Sequence, residues 1–143
     1  MWQIKDFSEL STYELFQIYK LRTQVFVVEQ ECPYPEVDED DLNCLHAMYY
    51  AGTQLEAYFR LIPREDGIHL GRVVVDTKQR RQGLGRNLIE KAIEVSRERF
   101  PEDILHAQAQ AYLKDFYQSL GFIPVSGVFL EDNIPHIDMI LNL

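Results

Sequence analysis

Long apolar runs, paired cysteines and excess positive charge are all scarce in this chain of 143 residues, and each shortage removes a class of function. No uninterrupted apolar stretch reaches the roughly 20 residues that a membrane-crossing helix needs. The N-terminus MWQIKDFSEL lacks the charged start and apolar body of a signal peptide, so a cytoplasmic protein with no membrane partner is expected. Lys and Arg total 14 against 23 Asp and Glu, a net charge of -9. Most of such a surface repels a phosphate backbone, which argues against a nucleic-acid partner. Cys32 and Cys44 are the only cysteines; even with His46 nearby they lack the paired spacing of a zinc site. They are read as free, reduced thiols, and no metal is expected. Repeats and low-complexity linkers are also missing. With 46% hydrophobic residues, the length suits one domain, residues 1–143, with a real core.

What is present divides into elements by period. Trp2 and Ile4 alternate with polar neighbours as in a short strand. Ser11 to Glu14 form an S-x-x-E capping box, and Leu15, Ile18, Tyr19, Arg22 and Phe26 follow at helical spacing. The β-branched residues of VFVVEQ, Val25 to Gln30, predict that regular helix ends there. EVDEDD, Glu36 to Asp41, reads as an acidic loop. His46 to Tyr50, Gln54 to Ile62 and Ile68 to Asp76 read as three antiparallel strands joined by short turns. Leu84, Leu88, Ile89, Ala92, Ile93 and Val95 mark the apolar stripe of the clearest helix. Ile104 to Ala109 is a predicted strand, Tyr112 to Leu120 a short helix stopped at Gly121, and Val125 to Leu130 with His136 to Leu141 a final strand pair. The expected fold is α+β, with a mixed, mostly antiparallel central sheet flanked by helices. The unit from Ile68 to Ala109 makes a parallel crossover within that sheet.

Between strand and helix lies VVVDTKQRRQGLGRNLIE, Val73 to Glu90, whose turn holds Gly83, Gly85 and three arginines. Backbone N–H groups at a helix start have no internal partners, and the helix dipole adds positive potential there. Two glycines remove the side chains that would keep a phosphate at a distance, and Arg80, Arg81 and Arg86 would neutralise its charge. The bland alternative is a turn with a solvated basic face. Spacing excludes a P-loop. It also excludes the dinucleotide fingerprint, which would need a third small residue at Leu88.

R-x-x-G-x-G, Arg80 to Gly85, directly after a strand and before a helix, resembles the acetyl-CoA pyrophosphate loop of the GCN5-related N-acetyltransferase (GNAT) superfamily. AQAYLKDFYQSLGFIPV, Ala109 to Val125, is similar to that family's following helix. VFVVEQECPY, VDEDD, DFYQSLGFIPV and EDNIPHIDM extend the resemblance across nearly the whole chain to the ElaA-like subfamily. The resemblance implies a three-layer GNAT fold with a splayed parallel strand pair at the acetyl-CoA site. Val73, Val74 and Val75 would offer backbone groups to pantetheine, and Arg80, Arg81, Gln82, Gly83, Leu84, Gly85 and Arg86 would hold the pyrophosphate. Phe116 and Tyr117 occupy the family's aromatic pair, in which the tyrosine protonates the departing thiolate; Tyr117 alone would otherwise read as a core aromatic. Gln110 stands where the superfamily often has Asn, and it inherits the pantetheine contact. A homodimer is also implied.

The implied reaction is transfer of an acetyl group from acetyl-CoA to a primary amine of a small molecule or peptide by direct attack, with no covalent enzyme intermediate. The amine must first lose a proton. Glu29, His46, His69, Asp76 and His136 are the candidate bases, each with a structural alternative. Arg22, Glu29, His46 and His136 are the candidate acceptor contacts, and Glu29, Glu36, Asp38, Asp40 and Asp41 would draw in a cation. Arg22 has a second reading, as a partner of that acidic loop. The alternatives for the whole chain are another acyl group, a homoserine-lactone-synthase-like reaction, or a non-catalytic acyl-CoA-binding or protein-interaction module.

Overall fold

The computed structural model describes residues 1–80 and 83–143. An eight-stranded sheet carries the chain: β1 (Trp2–Asp6), β2 (Leu45–Ala51), β3 (Gln54–Arg64), β4 (Gly67–Val75), β5 (Ile104–Gln110), β6 (Ile123–Pro124), β7 (Phe129–Glu131) and β8 (Ile134–Asn142). Their order is β1-β2-β3-β4-β5-β8-β6, with β7 paired to β8. Every pairing is antiparallel except β4 with β5.

Among the described residues three α-helices, α1 (Thr12–Arg22), α2 (Leu84–Arg99) and α3 (Lys114–Ser119), flank the sheet. The period of two along β3 separates the layers: Phe59 and Leu61 join the cluster under α2, whereas Tyr58 joins the cluster under α1. On the first side Leu84, Leu88, Ile89, Ala92, Ile93 and Val95 meet Ile68, Leu70, Leu105, Ala107 and Met139. On the second, Ile18, Leu21 and Val25 meet Met48, Tyr58 and Val74.

The capping box is formed: Glu14 N–H donates to Ser11 Oγ at 3.0 Å, and Ser11 N–H donates to Glu14 Oε1 at 2.8 Å. Regular α-helix ends at Arg22, earlier than expected, and continues as a π-helix over Thr23–Glu29. Gln30 N–H reaches Val25 O and Cys32 N–H reaches Val27 O, five residues back. Four β-branched residues lie in that stretch, where close helical packing is least favourable.

The expected strand Val125 to Leu130 is broken. Around this stretch Ile123–Pro124 and Phe129–Glu131 pair with β8 as two separate short strands. At the break Asp138 N–H donates to Ser126 Oγ at 2.9 Å, so a side chain takes the place of a backbone ladder acceptor.

Two irregularities shape the centre of the sheet. β4 pairs with β5 only from Ile68 to Leu70, opposite Leu105 to Ala107. Beyond that point β4 stays with β3 as far as Val75, β5 stays with β8 as far as Gln110, and the two diverge. On the β3 side Tyr58 pairs with Val74 but Arg60 pairs with Gly71, so β4 spends three steps where β3 spends two. Arg72 sits in this bulge with φ +51°, a left-handed conformation that costs a non-glycine residue roughly 1–2 kcal/mol.

Candidate active site

The divergence of β4 from β5 opens a cleft of about 1020 Å³. Val73, Val74 and Val75 of β4, Gln110 of β5, Tyr117 of α3, and Arg80 and Gly85 beside the start of α2 are among the residues that line it. Gly83 is the N-cap of α2 with φ +73°, a conformation that favours glycine. Asn87 N–H makes its helical bond to Gly83 O, so the N–H groups before it are those a helix start leaves without internal partners. A Cβ built on Gly85 meets nothing within 4 Å among the described residues. A bare helix N-terminus therefore stands at the cleft. Leu84 turns its side chain into the core, and Phe116 packs on that core without lining the cleft, so neither offers a side chain to a ligand there. Arg81 and Gln82 lie outside the described residues.

The arginines expected to meet phosphate have protein partners. Arg80 grips Glu29 with two bonds, 2.6 Å to Oε1 and 2.9 Å to Oε2, which tie the loop before α2 to the π-helix. That contact holds the Glu29 carboxyl below its ordinary range. Arg86 pairs with Glu90 at 2.9 Å, one helical turn along.

Tyr117 is buried, with its ring edge-on to Phe116 and Phe122 at 5.5 and 5.3 Å. Burial, with the neighbouring Tyr112 adding to it, pushes its hydroxyl up to about 12. Among the described residues no protein group hydrogen-bonds that hydroxyl.

Two expected acceptor contacts are withdrawn by their burial. Arg22 is 0% exposed and its guanidinium is spent on Glu36 Oε1 at 2.8 Å, Glu36 O at 2.9 Å and Asp41 at 2.7 and 3.2 Å. The acidic run is thus largely an ion-pairing element rather than a solvated loop. Arg60 binds Asp38 at 2.7 and 3.0 Å and Asp41 at 3.0 Å, and Arg72 adds Glu36 Oε1 at 2.9 Å and Asp38 at 3.3 Å. His46 is equally buried: Nε2 donates to Asp41 O at 2.8 Å, which makes Nδ1 the acceptor for the Tyr58 hydroxyl at 2.6 Å. Burial holds this imidazole below its usual range, hence neutral.

The remaining candidate bases sort by their bonds. Asp76 caps the short helix Thr77–Gln79 by accepting from Lys78 N–H at 3.0 Å. His69 and His136 both line the cleft. His136 Nδ1 lies 2.7 Å from Ile134 O, and His69 Nε2 lies 2.7 Å from Asp66 Oδ1. Arg60 and Arg72 were not foreseen as part of the site. The available signal was an arginine inside each of the apolar strand runs YFRLI and LGRVVV.

Comparison with known proteins agrees with this geometry. The family model described as an acetyltransferase (GNAT) domain matches residues 9–143. A UPF0039 protein of Schizosaccharomyces pombe is 47% identical over 142 residues, covering 97% of this chain and 95% of its own length. The crystal structure of Escherichia coli ElaA superposes with TM-score 0.95 at 40% identity, covering 99% of each chain. A crystal structure described as an acyl-CoA N-acyltransferase from Pseudomonas aeruginosa also gives TM-score 0.95, at 42% identity, over 99% of this chain and 98% of that one.

Proposed function

The chain belongs to the GNAT acetyltransferase family, in its ElaA-like branch, and from that premise we propose that it moves an acetyl group from acetyl-CoA to a primary amine by direct attack in a ternary complex. The observation that carries this reading is the gap between β4 and β5 with a bare helix N-terminus at its end. Pantetheine has an extended backbone edge to pair with at Val73, Val74 and Val75, and Gln110 faces it from β5. The pyrophosphate has the N–H groups and dipole of α2, which a Gly85 side chain does not obstruct.

The chemistry then falls to two groups in the same cleft. The acceptor nitrogen attacks the thioester carbonyl carbon, the C–S bond breaks, and Tyr117 donates to the departing sulfur. The proton lost by the amine goes to His69. A neutral His69 that donates from Nε2 to Asp66 keeps its lone pair on Nδ1, and that nitrogen is the base. Glu131 and Asp132 line the same cleft and suit a cationic acceptor.

Calorimetry with acetyl-CoA, followed by thiol release against a panel of small amines and basic peptides, tests the reading. Saturable binding with amine-dependent release of CoA is expected. Binding without release by any amine would leave an acyl-CoA-binding module, and no binding would reduce the Gly83 turn to a turn.

Gly85→Leu separates function from folding at the same site. A leucine placed in open space within α2 is expected to raise stability by up to about 1 kcal/mol, since glycine is the poorer helix former. The same side chain would stand where the phosphates approach, so acetyl-CoA affinity should fall at least tenfold, or about 1.4 kcal/mol. Unchanged affinity in a folded Gly85→Leu protein would remove the pyrophosphate from this helix end.

A further inference from the structure

We propose that Asp66, His69 and His106 form a binding site for a divalent transition-metal ion of the zinc, cobalt or nickel class. His69 and His106 are direct register partners on the parallel strands β4 and β5. Their rings are stacked with centroids 4.4 Å apart and planes 5° from parallel. Both Nε2 atoms turn towards one aspartate: His69 Nε2 lies 2.7 Å from Asp66 Oδ1, and His106 Nε2 lies 2.8 Å from Asp66 O and 3.8 Å from Oδ2.

One ligand atom from each residue falls within 4.8 Å of the others. Two ligands each about 2.1 Å from a zinc ion lie at most about 4.2 Å apart, so small side-chain rotations close the set. Two imidazoles with one carboxylate suit the borderline ions and leave a coordination position for water.

The scaffold holds these groups without help from an ion. Two ligands stand on paired strands, and the third is fixed by the turn into β4. There Gly67, at φ +133°, lies so close to β5 that a Cβ would collide with the carbonyl oxygen of Ile104. All three side chains are solvent-accessible, with relative exposures of 62% for Asp66, 31% for His69 and 24% for His106.

A second trio, Asp41, Cys44 and His46, is as close-set but committed elsewhere. Both His46 nitrogens are bonded, Asp41 is held by two arginines, and burial pushes the Cys44 thiol up to about 12. A thiol that resists ionisation is a poor metal ligand.

Occupancy has a chemical consequence that rests on the acetyl-transfer reading. A metal on His69 Nε2 displaces the proton from that nitrogen to Nδ1, so no ring lone pair is left free and the base is lost while the ion is bound. The ion would act as an inhibitor of transfer.

Cobalt(II) titrated into the full chain, followed by its visible absorption and by calorimetry, reads binding without reference to turnover. One saturable equivalent is expected, with no thiolate charge-transfer band. Affinity should fall at least tenfold in His106→Ala and in Asp66→Asn, each checked by its thermal melt for folding. Absence of saturable binding, equal affinity in both folded variants, or a thiolate band would overturn the site. Saturable binding that leaves turnover intact in a zinc-titrated thiol-release assay would overturn the inhibitory consequence and the His69 assignment, but not the site.

Discussion

Replacing Tyr117 by Phe is expected to lower turnover by about 10²- to 10⁴-fold while leaving acetyl-CoA affinity unchanged, the range over which a positioned general acid acts. Tyr117 lines the cleft that holds Val73, Val74 and Val75, and no described protein group bonds to its hydroxyl. Its loss therefore strips no structural hydrogen bond, and the aromatic contacts with Phe116 and Phe122 remain. Stability should change by less than about 1 kcal/mol. With burial holding the phenol near 12, the parent stays protonated through neutral and mildly alkaline pH, so the ratio of parent to variant rates should be flat there. An ordinary thiol has a pKa near 8.5, and the same burial raises that of a thiolate emerging beside the phenol, which narrows the gap the proton must cross. Equal turnover by Tyr117→Phe would end the acid assignment, while loss of acetyl-CoA affinity would recast the hydroxyl as a binding group. Stopped assays of thiol release, paired with calorimetry on the same preparations, distinguish these outcomes.

The parts of this site that could be read beforehand are those whose chemistry is local. The S-x-x-E box, the stripe of α2 and the glycine before it each express a short-range requirement: a cap, an apolar face, a left-handed residue. The parallel pairing of β4 with β5 followed from the crossover between them. What stayed hidden depends on residues far apart in the chain. His69 and His106 meet only through a strand register spanning 37 positions. The role of Arg22 is set by carboxylates 14 and 19 residues away, and helical spacing says nothing of what a helix face will meet. The bulge at Arg72 breaks a local preference, since an arginine at φ +51° gives no pattern of its own and is held by outside contacts. Phe116 fits the family's motif yet packs on the core beside Tyr117 without lining the cleft, a difference that the motif's spacing does not express.

Asp41→Ala is expected to be the most damaging single substitution in the acidic run, costing about 3–5 kcal/mol, the loss that follows when buried charges are left without a partner. Asp41 is 1% exposed and shared by two arginines, Arg22 and Arg60, that are themselves 0% and 3% exposed. At roughly 2–4 °C per kcal/mol for a chain near this size, the melting temperature should fall by about 6–20 °C. The pH dependence has a definite sign. Burial raises the Asp41 carboxyl, but hydrogen bonds and charge from Arg22, with Arg60 behind them, outweigh it and leave the group below its ordinary value. Asp38 is held low chiefly by its bond from Arg60. A carboxyl that is more acidic folded than unfolded adds stability above the unfolded value of about 3.9, and that stability is lost as pH falls through the folded value. The parent should therefore lose stability steeply below about pH 4, and Asp41→Ala should show a shallower acid limb. Arg22→Met added to Asp41→Ala should cost less than the sum of the two single changes, because the second removes a charge the first has already stranded. The loss should also reach the cleft, since Glu36 and Asp38 of the same run bind Arg72 in its bulge on β4. Turnover per folded molecule should fall along with stability. A cost under about 1 kcal/mol with an unchanged acid limb would mean that water reaches Arg22 and Arg60 in solution. The run from Glu36 to Asp41 would then be a solvated loop after all.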